Sequence, residues 1–448
     1  MKRKFKIKLS VWQFLALGYL AVIAVGSVLL VLPIASADGT STSYLDALFV
    51  ATASACVTGL STVDTGTHWS LFGQIVLLVL IQTGGLGFMT FVSTVFLMFK
   101  HRMRQYERKA LLSDAGAINF YGISKLVKRI FIGTAIFELL GMCLLCIRFI
   151  PEYGGIGAYY ALWHAVSAFC NAGMDLVGVG GTSLSAYATD PLVSLTFCFL
   201  ITMGGLGFIV WSDFIDCRGN FKKMKLNTKI ILLWSLIINV VATVLFFAFE
   251  YNGQAFSGYN FGEKLLCSFF MAVSSRTAGF YTTAPSALCD SSYLLTIIIM
   301  FIGGSTGSTA GGIKVGTFAV IIMGMLAVFR GYKDINIGKK RIEYSLLSQA
   351  LAIFTACLML ILMGTLAICA LETDPAVTFN RVLFECVSAL GTGGLSLDLT
   401  PQLNIGAKCI IIVLMYAGRV GILTLALALG EKRSISAVRK PIDTLLIG

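Results

Sequence analysis

Charged residues are scarce in this sequence, and their scarcity excludes an ordinary water-soluble fold. Only 12% of the 448 residues are charged and 57% are hydrophobic, whereas a soluble globular domain is typically about 25% charged. The polar residues that would cover several soluble domains of this total length are missing. The lipid bilayer is therefore the expected solvent, and the predicted fold class is an all-α polytopic membrane protein.

The motifs of several catalytic and sensing classes are also incomplete. Cys143 and Cys146 form a C-x-x-C with no second pair, so no metal site is predicted there. Gly303, Ser305 and Gly307 match the G-x-S-x-G of hydrolases, but all three histidines precede this motif and no strand signal leads into it. No apolar run carries the regularly spaced arginines of a voltage sensor. The sequence thus predicts a protein that is not an enzyme and does not sense voltage.

What is present is a series of apolar runs long enough to cross about 30 Å of hydrocarbon. Eight transmembrane helices are predicted, at residues 11–34, 71–99, 130–150, 191–215, 228–249, 293–329, 345–371 and 405–429. The first run is longer than a cleavable signal and lacks a small-x-small processing site after it. We therefore expect it to be retained as a membrane helix.

Basic residues mark one side of the membrane. Of the 34 lysines and arginines, 27 lie in every second segment between crossings, at residues 2–8, 100–129, 218–229, 330–341 and 432–440. The positive-inside rule then predicts that both termini are cytoplasmic. Topology and contact with an anionic lipid leaflet explain the net charge of +12, so nucleic acid is not a predicted partner. The basic loops at 100–129 and 218–229 either dock a partner or are simply solvated.

Each outward segment contains a second apolar stretch of about 12 residues, a length typical of re-entrant half-helices. These stretches lie at 45–57, 158–171, 261–275 and 378–390, and each is followed by a glycine, at Gly59, Gly173, Gly279 and Gly394. A second glycine signature follows, at 84–87, 204–207, 304–307 and 418–421. Two motifs recurring in one order, at intervals of 106 to 115 residues for the first, indicate an internal repeat.

The repeat predicts four pseudo-symmetric helix–pore-loop–helix units around one central ion pore. Their expected bounds are 11–99, 125–216, 226–330 and 342–430, followed by a cytoplasmic tail at 431–448. In lipid, each exposed unpaired backbone group costs several kcal/mol, so the four glycine loops must line a cavity rather than face hydrocarbon.

Glycine lets an extended loop turn successive carbonyl oxygens inward, because glycine reaches positive φ without steric cost. Four such loops give rings of four oxygens that can replace the hydration shell of a monovalent cation. The alternative is that each glycine merely caps its helix. The predicted potassium selectivity filter consists of Val57, Thr58, Gly59, Asn171, Ala172, Gly173, Thr277, Ala278, Gly279, Thr392, Gly393 and Gly394.

Acidic residues follow three of these loops, at Asp64, Asp175 and Asp398. Placed at an outer mouth, they would raise the local cation concentration. Solvated loop carboxylates with no such role are the equally simple alternative.

The glycine loops and the run from Gly303 to Lys314 resemble the Ktr/Trk/HKT superfamily of potassium transporters, over nearly the whole chain. The compact size is most similar to the KtrB-type membrane subunits of bacterial Ktr systems. This resemblance implies potassium as the substrate, often sodium as an activator, and no covalent cofactor. It also implies a homodimer in the bacterial cell membrane, docked on a cytosolic ring of KtrA-like subunits that bind nucleotides such as ATP and ADP.

The sixth crossing contains a run of small residues that disfavours a continuous helix, since glycine costs about 1 kcal/mol relative to alanine. A break is predicted there, and the resemblance implies that it is an intramembrane gate. The gate residues are Gly303, Gly304, Ser305, Thr306, Gly307, Ser308, Thr309, Ala310, Gly311, Gly312, Lys314 and Arg419. A helix-packing patch of small residues is the alternative.

Arg419 stands in the middle of the last crossing, where an arginine costs at least about 2.5 kcal/mol. We expect it to face the cytoplasmic cavity beside the gate as a barrier to cations. The alternative is an ion pair with Glu138, Asp213 or Asp216.

The predicted function is a potassium uptake pore subunit. The potassium-binding subunit of an ATP-driven pump is the main alternative, because it shares the plan of four loops. A membrane receptor or scaffold without transport would leave the four loops unexplained.

Overall fold

The computed structural model describes residues 10–88, 90, 123–178, 182–332, 334–337 and 340–429. The predicted basic amino terminus, most of the basic loop at 100–129 and the tail at 431–448 lie outside the described residues. The helices, in chain order, are α1 (Val11–Val31), α2 (Tyr44–Ala55), α3 (Thr65–His68), α4 (Leu71–Leu86), α5 (Ile123–Tyr153), α6 (Ile156–Cys170), α7 (Pro191–Leu206), α8 (Phe208–Asp216), α9 (Leu226–Glu250), α10 (Phe261–Ser274), α11 (Asp290–Phe301), α12 (Val315–Phe329), α13 (Tyr344–Leu371), α14 (Phe379–Gly391), α15 (Ile405–Val420) and α16 (Ile422–Leu429).

Four of the described helices, α1, α5, α9 and α13, are long and apolar enough to cross a membrane, and two bent pairs bring the number of spans to as many as six. The long helices leave large apolar side chains exposed, such as Leu236 and Leu366. Each is followed by a short helix of 12 to 15 residues, namely α2, α6, α10 and α14. They correspond to the apolar stretches that the sequence analysis predicted to be re-entrant half-helices.

The short helices are buried toward their carboxyl-terminal ends, where the apolar core of the protein lies. Phe49, Phe169, Phe270 and Phe384, one from each short helix, have no exposed surface. In the second half of each short helix nearly every side chain is buried, so these halves are not the faces of amphipathic surface helices. The core therefore surrounds the ends of the short helices, which is where the glycine loops begin.

The helix that follows each short helix is interrupted. α7 and α8 meet at 86° around Gly207, and α15 and α16 meet at 93° around Gly421. Both glycines have a positive φ, 94° and 87°, which a residue with a side chain rarely adopts. The sequence predicted uninterrupted crossings at 191–215 and 405–429, and the structure divides both.

The predicted crossing at 293–329 is also divided, as expected, into α11 and α12 with a non-helical segment between them. In the first unit, α4 ends at Leu86, and Gly87, with φ 85°, is its carboxyl-terminal cap. Every described second helix therefore ends at or near its glycine signature.

One small β-hairpin departs from the predicted all-α class. β1 (Ile335–Ile337) and β2 (Lys340–Ile342) pair antiparallel, with Ile335 opposite Ile342. These two isoleucines pack with Ala327 in a small apolar cluster. The sequence predicted only a basic loop at 330–341, because two strands of three residues are too short to give a clear alternation pattern.

An ion pair joins the first unit to the last. The Lys408 ammonium lies 3.0 Å from an Asp46 carboxylate oxygen, and both side chains are largely buried. Asp46 is in the first turn of α2 and Lys408 in the first turn of α15. The chain thus closes on itself at the level where the short helices begin.

Candidate functional site

The four glycine loops, residues 57–59, 171–173, 277–279 and 392–394, share one backbone conformation. Two residues before each glycine the chain is left-handed, with φ 56° at Val57, 60° at Asn171, 71° at Thr277 and 52° at Thr392. The glycines follow with φ 93° at Gly59, 67° at Gly173, 79° at Gly279 and 78° at Gly394. A non-glycine residue at positive φ is uncommon. Its occurrence at four equivalent places indicates a conformation that the surrounding structure imposes.

The glycine loops follow one another in a closed ring. A Cβ atom added to Gly59 would lie 2.5 Å from the Ala172 carbonyl oxygen, and one added to Gly173 would lie 2.8 Å from the Ala278 oxygen. A Cβ at Gly279 would likewise meet the Gly393 oxygen at 3.3 Å, and one at Gly394 would overlap the Thr58 oxygen. Each loop therefore presents a carbonyl to the glycine of its neighbour, and no side chain fits at these glycines.

The short helices point their carboxyl-terminal ends at this ring. Amides of the loops cap the last turns, including Thr58 N to Ala53 O at 2.7 Å and Gly393 N to Ser388 O at 2.7 Å. The carboxyl-terminal end of a helix carries a partial negative charge. Four such ends around one ring favour a cation at its centre.

A cavity of about 420 Å³ opens on one side of the ring, and all four ring glycines line it. We call it the acidic cavity, because Asp64, Asp175 and Asp398 also line it. The sequence placed these acids near the loops, and the structure brings all three to one cavity.

Asp175 differs from an ordinary solvated carboxylate. Burial, assisted by the negative charge of Asp64, raises the pKa of Asp175 to about 6, against the opposing hydrogen bonds from the Gly178 amide and the Ser183 side chain. A carboxyl group with this pKa gains its charge within the physiological pH range.

The segment at 303–312, which we call the inserted loop, separates α11 from α12 beneath the ring. The Ser305 amide lies 3.0 Å from the Gly205 carbonyl oxygen, and its hydroxyl donates to Gly205 and Leu206. A Cβ at Gly311 would overlap the Thr392 side chain of the fourth glycine loop. The inserted loop therefore contacts both the ring and the second glycine signature of the second unit.

A second cavity, of about 310 Å³, is lined by the inserted loop together with Lys314 and Arg419. We call it the basic cavity. Arg419 donates hydrogen bonds to the carbonyl oxygens of Thr309, Gly84 and Gly85, and the Lys314 ammonium lies 2.7 Å from the Ala310 oxygen. Both cations are therefore held by backbone carbonyls.

Arg419 makes no ion pair among the residues that the structure describes. Asp216 pairs with Arg129 at 2.6 Å, and Asp213 accepts from the Lys225 amide. Glu138 is buried beside Gln82 and forms no ion pair within the described part of the chain. The geometry therefore does not support the alternative in which Arg419 forms a structural ion pair with Glu138, Asp213 or Asp216.

The sequence interpretation missed two buried polar side chains behind the glycine loops, His164 on α6 and Glu385 on α14. Each lies nine residues before its ring glycine, Gly173 or Gly394. That shared spacing was a signal available in the sequence. Its meaning depends on hydrogen bonds to the loops, which only the structure reveals.

Relatives of the chain match over nearly its full length. The profile of the TrkH family, described as cation transport proteins, matches residues 18–435. The Ktr system potassium uptake protein B of Bacillus subtilis (strain 168) is 38% identical over 97% of this chain and 96% of its own. The potassium/sodium uptake protein NtpJ of Enterococcus hirae is 36% identical over 100% of this chain and 99% of its own.

Solved structures give a similar result. The potassium transporter TrkH from Vibrio parahaemolyticus superimposes with a TM-score of 0.75, covering 96% of this chain and 87% of that one, at 18% identity. At this identity the likeness is one of fold.

Proposed function

The chain belongs to the TrkH family of cation transport proteins, in which it is a potassium uptake transporter of the Ktr/Trk type and not an enzyme, and we propose that ions cross it through the ring of glycine loops. The twelve predicted filter residues are the four glycine loops themselves. The proposed pore lies on the axis of four helix–loop–helix units, with eight membrane crossings in all.

The observation that carries this proposal is the closed sequence of contacts between the four glycine loops. Each loop places a carbonyl oxygen against the glycine of a neighbouring loop, so the four loops surround a common centre. Rings of carbonyl oxygens replace the hydration shell of potassium in ion filters. The negative helix ends add a field that favours a cation there.

The two cavities give the proposed pore its direction. The acidic cavity is the outer entrance, where three carboxylates concentrate cations. The basic cavity is the cytoplasmic exit, where Lys314 and Arg419 oppose the passage of cations. This orientation agrees with the positive-inside distribution of charge, from which we propose that both termini are cytoplasmic.

The inserted loop is the proposed gate. Non-helical backbone at membrane depth is tolerated where it is buried in protein or lines water, and this loop contacts the ring above and the basic cavity below. Arg419 holds the loop through the Thr309 carbonyl and anchors it to the first unit through Gly84 and Gly85. We propose that release of these bonds accompanies opening.

The proposed assembly is a homodimer in the bacterial cell membrane, with one pore per chain. A cytosolic ring of KtrA-like subunits would carry the regulatory nucleotide, ATP or ADP, since no nucleotide-binding motif is found in this sequence. The name of the Bacillus relative refers to a Ktr system, and that of the Enterococcus relative to potassium and sodium. These names support potassium as the substrate and are consistent with a part for sodium, which we propose is that of an activator.

Growth at low potassium tests the proposal. A bacterium lacking its own potassium uptake systems should grow when this chain is expressed, and coexpression of a cytosolic KtrA-like subunit should increase the growth rate. A Gly394→Ser variant should fail to support growth. Absence of rescue by a chain that reaches the membrane, whether or not the KtrA-like subunit is coexpressed, would contradict the proposal.

The main alternative is the potassium-binding subunit of an ATP-driven pump. Purified protein in vesicles discriminates the two, because a pore moves potassium down an imposed gradient without ATP. Uptake that requires ATP and a copurifying ATPase would favour the pump.

A further inference from the structure

Two of the four short helices carry a large polar side chain that accepts from a backbone amide of the chain leaving the glycine loop. His164 lies nine residues before Gly173, and Glu385 lies nine residues before Gly394. Their exposed fractions are 0% and 1%. A polar group buried this completely is costly unless it is hydrogen-bonded. The partners of these side chains therefore indicate why they are there.

His164 joins its own helix to the second loop. Its Nδ1 lies 2.6 Å from the Tyr160 carbonyl oxygen, and the Leu176 amide nitrogen lies 3.2 Å from its Nε2. A carbonyl only accepts and a backbone amide only donates, so this imidazole is neutral with its proton on Nδ1. Phe149 and Phe197 pack edge-on against the His164 imidazole. The imidazole is thus fixed in one orientation and one tautomer.

Glu385 makes a corresponding set of contacts with the fourth loop. Its carboxyl group accepts from the Ser396 hydroxyl and, at 3.0 Å, from the Thr400 hydroxyl. The Leu397 amide also donates to it. Ser396 lines the acidic cavity, so this network reaches from the interior to the mouth of the proposed pore.

The two contacts occupy equivalent positions. In each case a side chain nine residues before the ring glycine accepts from the amide three residues after it, Leu176 or Leu397. At the same position the first and third units have Val50 and Phe270, which are fully buried and apolar. Bracing of this amide therefore alternates around the ring, on the second and fourth loops, while all four loops share one backbone conformation. Serine hydroxyls of the second and third short helices, Ser167 and Ser274, bond instead to the carbonyl directly after the ring glycine.

We propose that His164 and Glu385 are positioning residues that fix the width of the glycine ring at two opposite loops and thereby set the preference for potassium over sodium. The inference rests on the proposed function of the ring as a potassium filter. A carbonyl cage that can contract coordinates the smaller sodium ion more closely, so a brace on two facing loops disfavours sodium. Supporting side chains that lock a binding geometry are the general means of achieving such precision.

The test is the ratio of potassium to sodium uptake by purified protein in vesicles under an imposed membrane potential. His164→Leu should lower this ratio about fivefold, the factor expected for loss of one hydrogen bond of ordinary strength. Glu385→Leu loses three such bonds and should lower the ratio further. His164→Gln and Glu385→Gln keep an acceptor and should retain most of the preference. Phe270→Leu, at the equivalent unbraced position, should change packing but leave the ratio unaltered.

A milder pair of variants covers the case in which the leucine variants do not fold. Ser396→Ala and Thr400→Val each remove one donor to Glu385, and together they should lower the ratio. Correctly folded protein that keeps the wild-type ratio in the leucine variants, or in the Ser396→Ala/Thr400→Val double variant, would overturn the positioning role. Wild-type protein without potassium-selective uptake would instead contradict the proposed filter.

Discussion

The ring of glycine loops and the layer of helix breaks beneath it are both built from glycines that recur in every unit, yet they differ in symmetry. In the ring, all four glycines follow a left-handed residue, and each meets its neighbour in the same way. In the break layer, the four glycines again have positive φ, 85° at Gly87, 94° at Gly207, 68° at Gly307 and 87° at Gly421. Their surroundings are all different.

The difference between the layers follows from what each is proposed to do. Coordination of one ion from four sides requires four equal carbonyl groups, so any unit that deviated would weaken the site. Obstruction of a passage requires one segment that enters it. Among the described residues, only the third unit contributes an inserted loop, and only the fourth contributes an arginine, Arg419, to hold it. The symmetric layer is suited to selection and the asymmetric layer to control.

The largest expected effect is in the symmetric layer. A Cβ at Gly394 would overlap the Thr58 carbonyl oxygen, so Gly394→Ser should reduce potassium uptake more than about a hundredfold, as expected when a rigid binding geometry is lost. Rubidium uptake into vesicles measures this. Gly258→Ser is the matched control, because Gly258 also has positive φ, 82°, with nothing near its Cβ position. Equal loss in both variants would mean that backbone strain, not the ring, explains the effect.

A smaller and opposite effect is expected in the asymmetric layer. Arg419→Ala removes a cation from the basic cavity and three hydrogen bonds from two units. Basal potassium uptake, measured without the cytosolic KtrA-like subunits, should rise roughly tenfold. This is the factor that corresponds to a loss of about 1.4 kcal/mol from the stability of the closed state. Arg129→Ala, which breaks the ion pair with Asp216 outside the cavities, should leave basal uptake unchanged. Unchanged flux in folded Arg419→Ala would refute its role as a barrier.

The attachment of the inserted loop can be weakened more gently. Ser305 donates its hydroxyl to Gly205 and Leu206, whereas Ser308 donates within the loop, to the Ser305 carbonyl. Ser305→Ala should raise basal uptake about threefold, in line with one ordinary hydrogen bond, and Ser308→Ala should raise it less. The reverse order would show that the rigidity of the loop, and not its attachment, controls flux.

The smallest effect is expected at the entrance to the symmetric layer. Because the pKa of Asp175 is raised to about 6, lowering the outer pH from about 7.5 to about 5 neutralises it, and the apparent affinity for potassium should fall roughly twofold. Asp175→Asn should show the weaker affinity at both pH values. Asp38→Asn is the control and should leave the pH response unchanged, because hydrogen bonds from Ser36 and Thr40 lower the pKa of Asp38 to about 2. A pH response that persists in Asp175→Asn would exclude this residue as its source.

Much of the symmetric layer was predictable from sequence, because its chemistry requires glycine itself. Gly59, Gly173, Gly279 and Gly394 combine positive φ with close approach of a neighbouring carbonyl. No other residue satisfies both requirements. The repeat therefore appears directly in the spacing of one residue type, and the predicted filter loops correspond to the segments that the structure brings together.

The asymmetric layer was only partly predictable. The many small residues at 303–312 indicate a helix break in the sequence. Gly207 and Gly421, in contrast, are breaks within apolar runs that are also compatible with a continuous helix. At Gly207 a tertiary contact accompanies the break, since the Phe208 amide donates to the Gly307 carbonyl at 2.8 Å. Apart from the Ser396 and Thr400 hydroxyls that bond to Glu385, the partners of Arg419, His164 and Glu385 are backbone groups, which every residue possesses. Sequence patterns therefore cannot identify them.

The central claim is that potassium is bound inside the ring of glycine loops. The most direct measurement is an anomalous difference map from crystals of the protein grown in rubidium, which substitutes for potassium. We expect a peak on the axis of the ring formed by Gly59, Gly173, Gly279 and Gly394, and its loss in crystals grown in sodium alone. Strong rubidium peaks confined to the acidic or basic cavity, with none inside the ring, would contradict the claim.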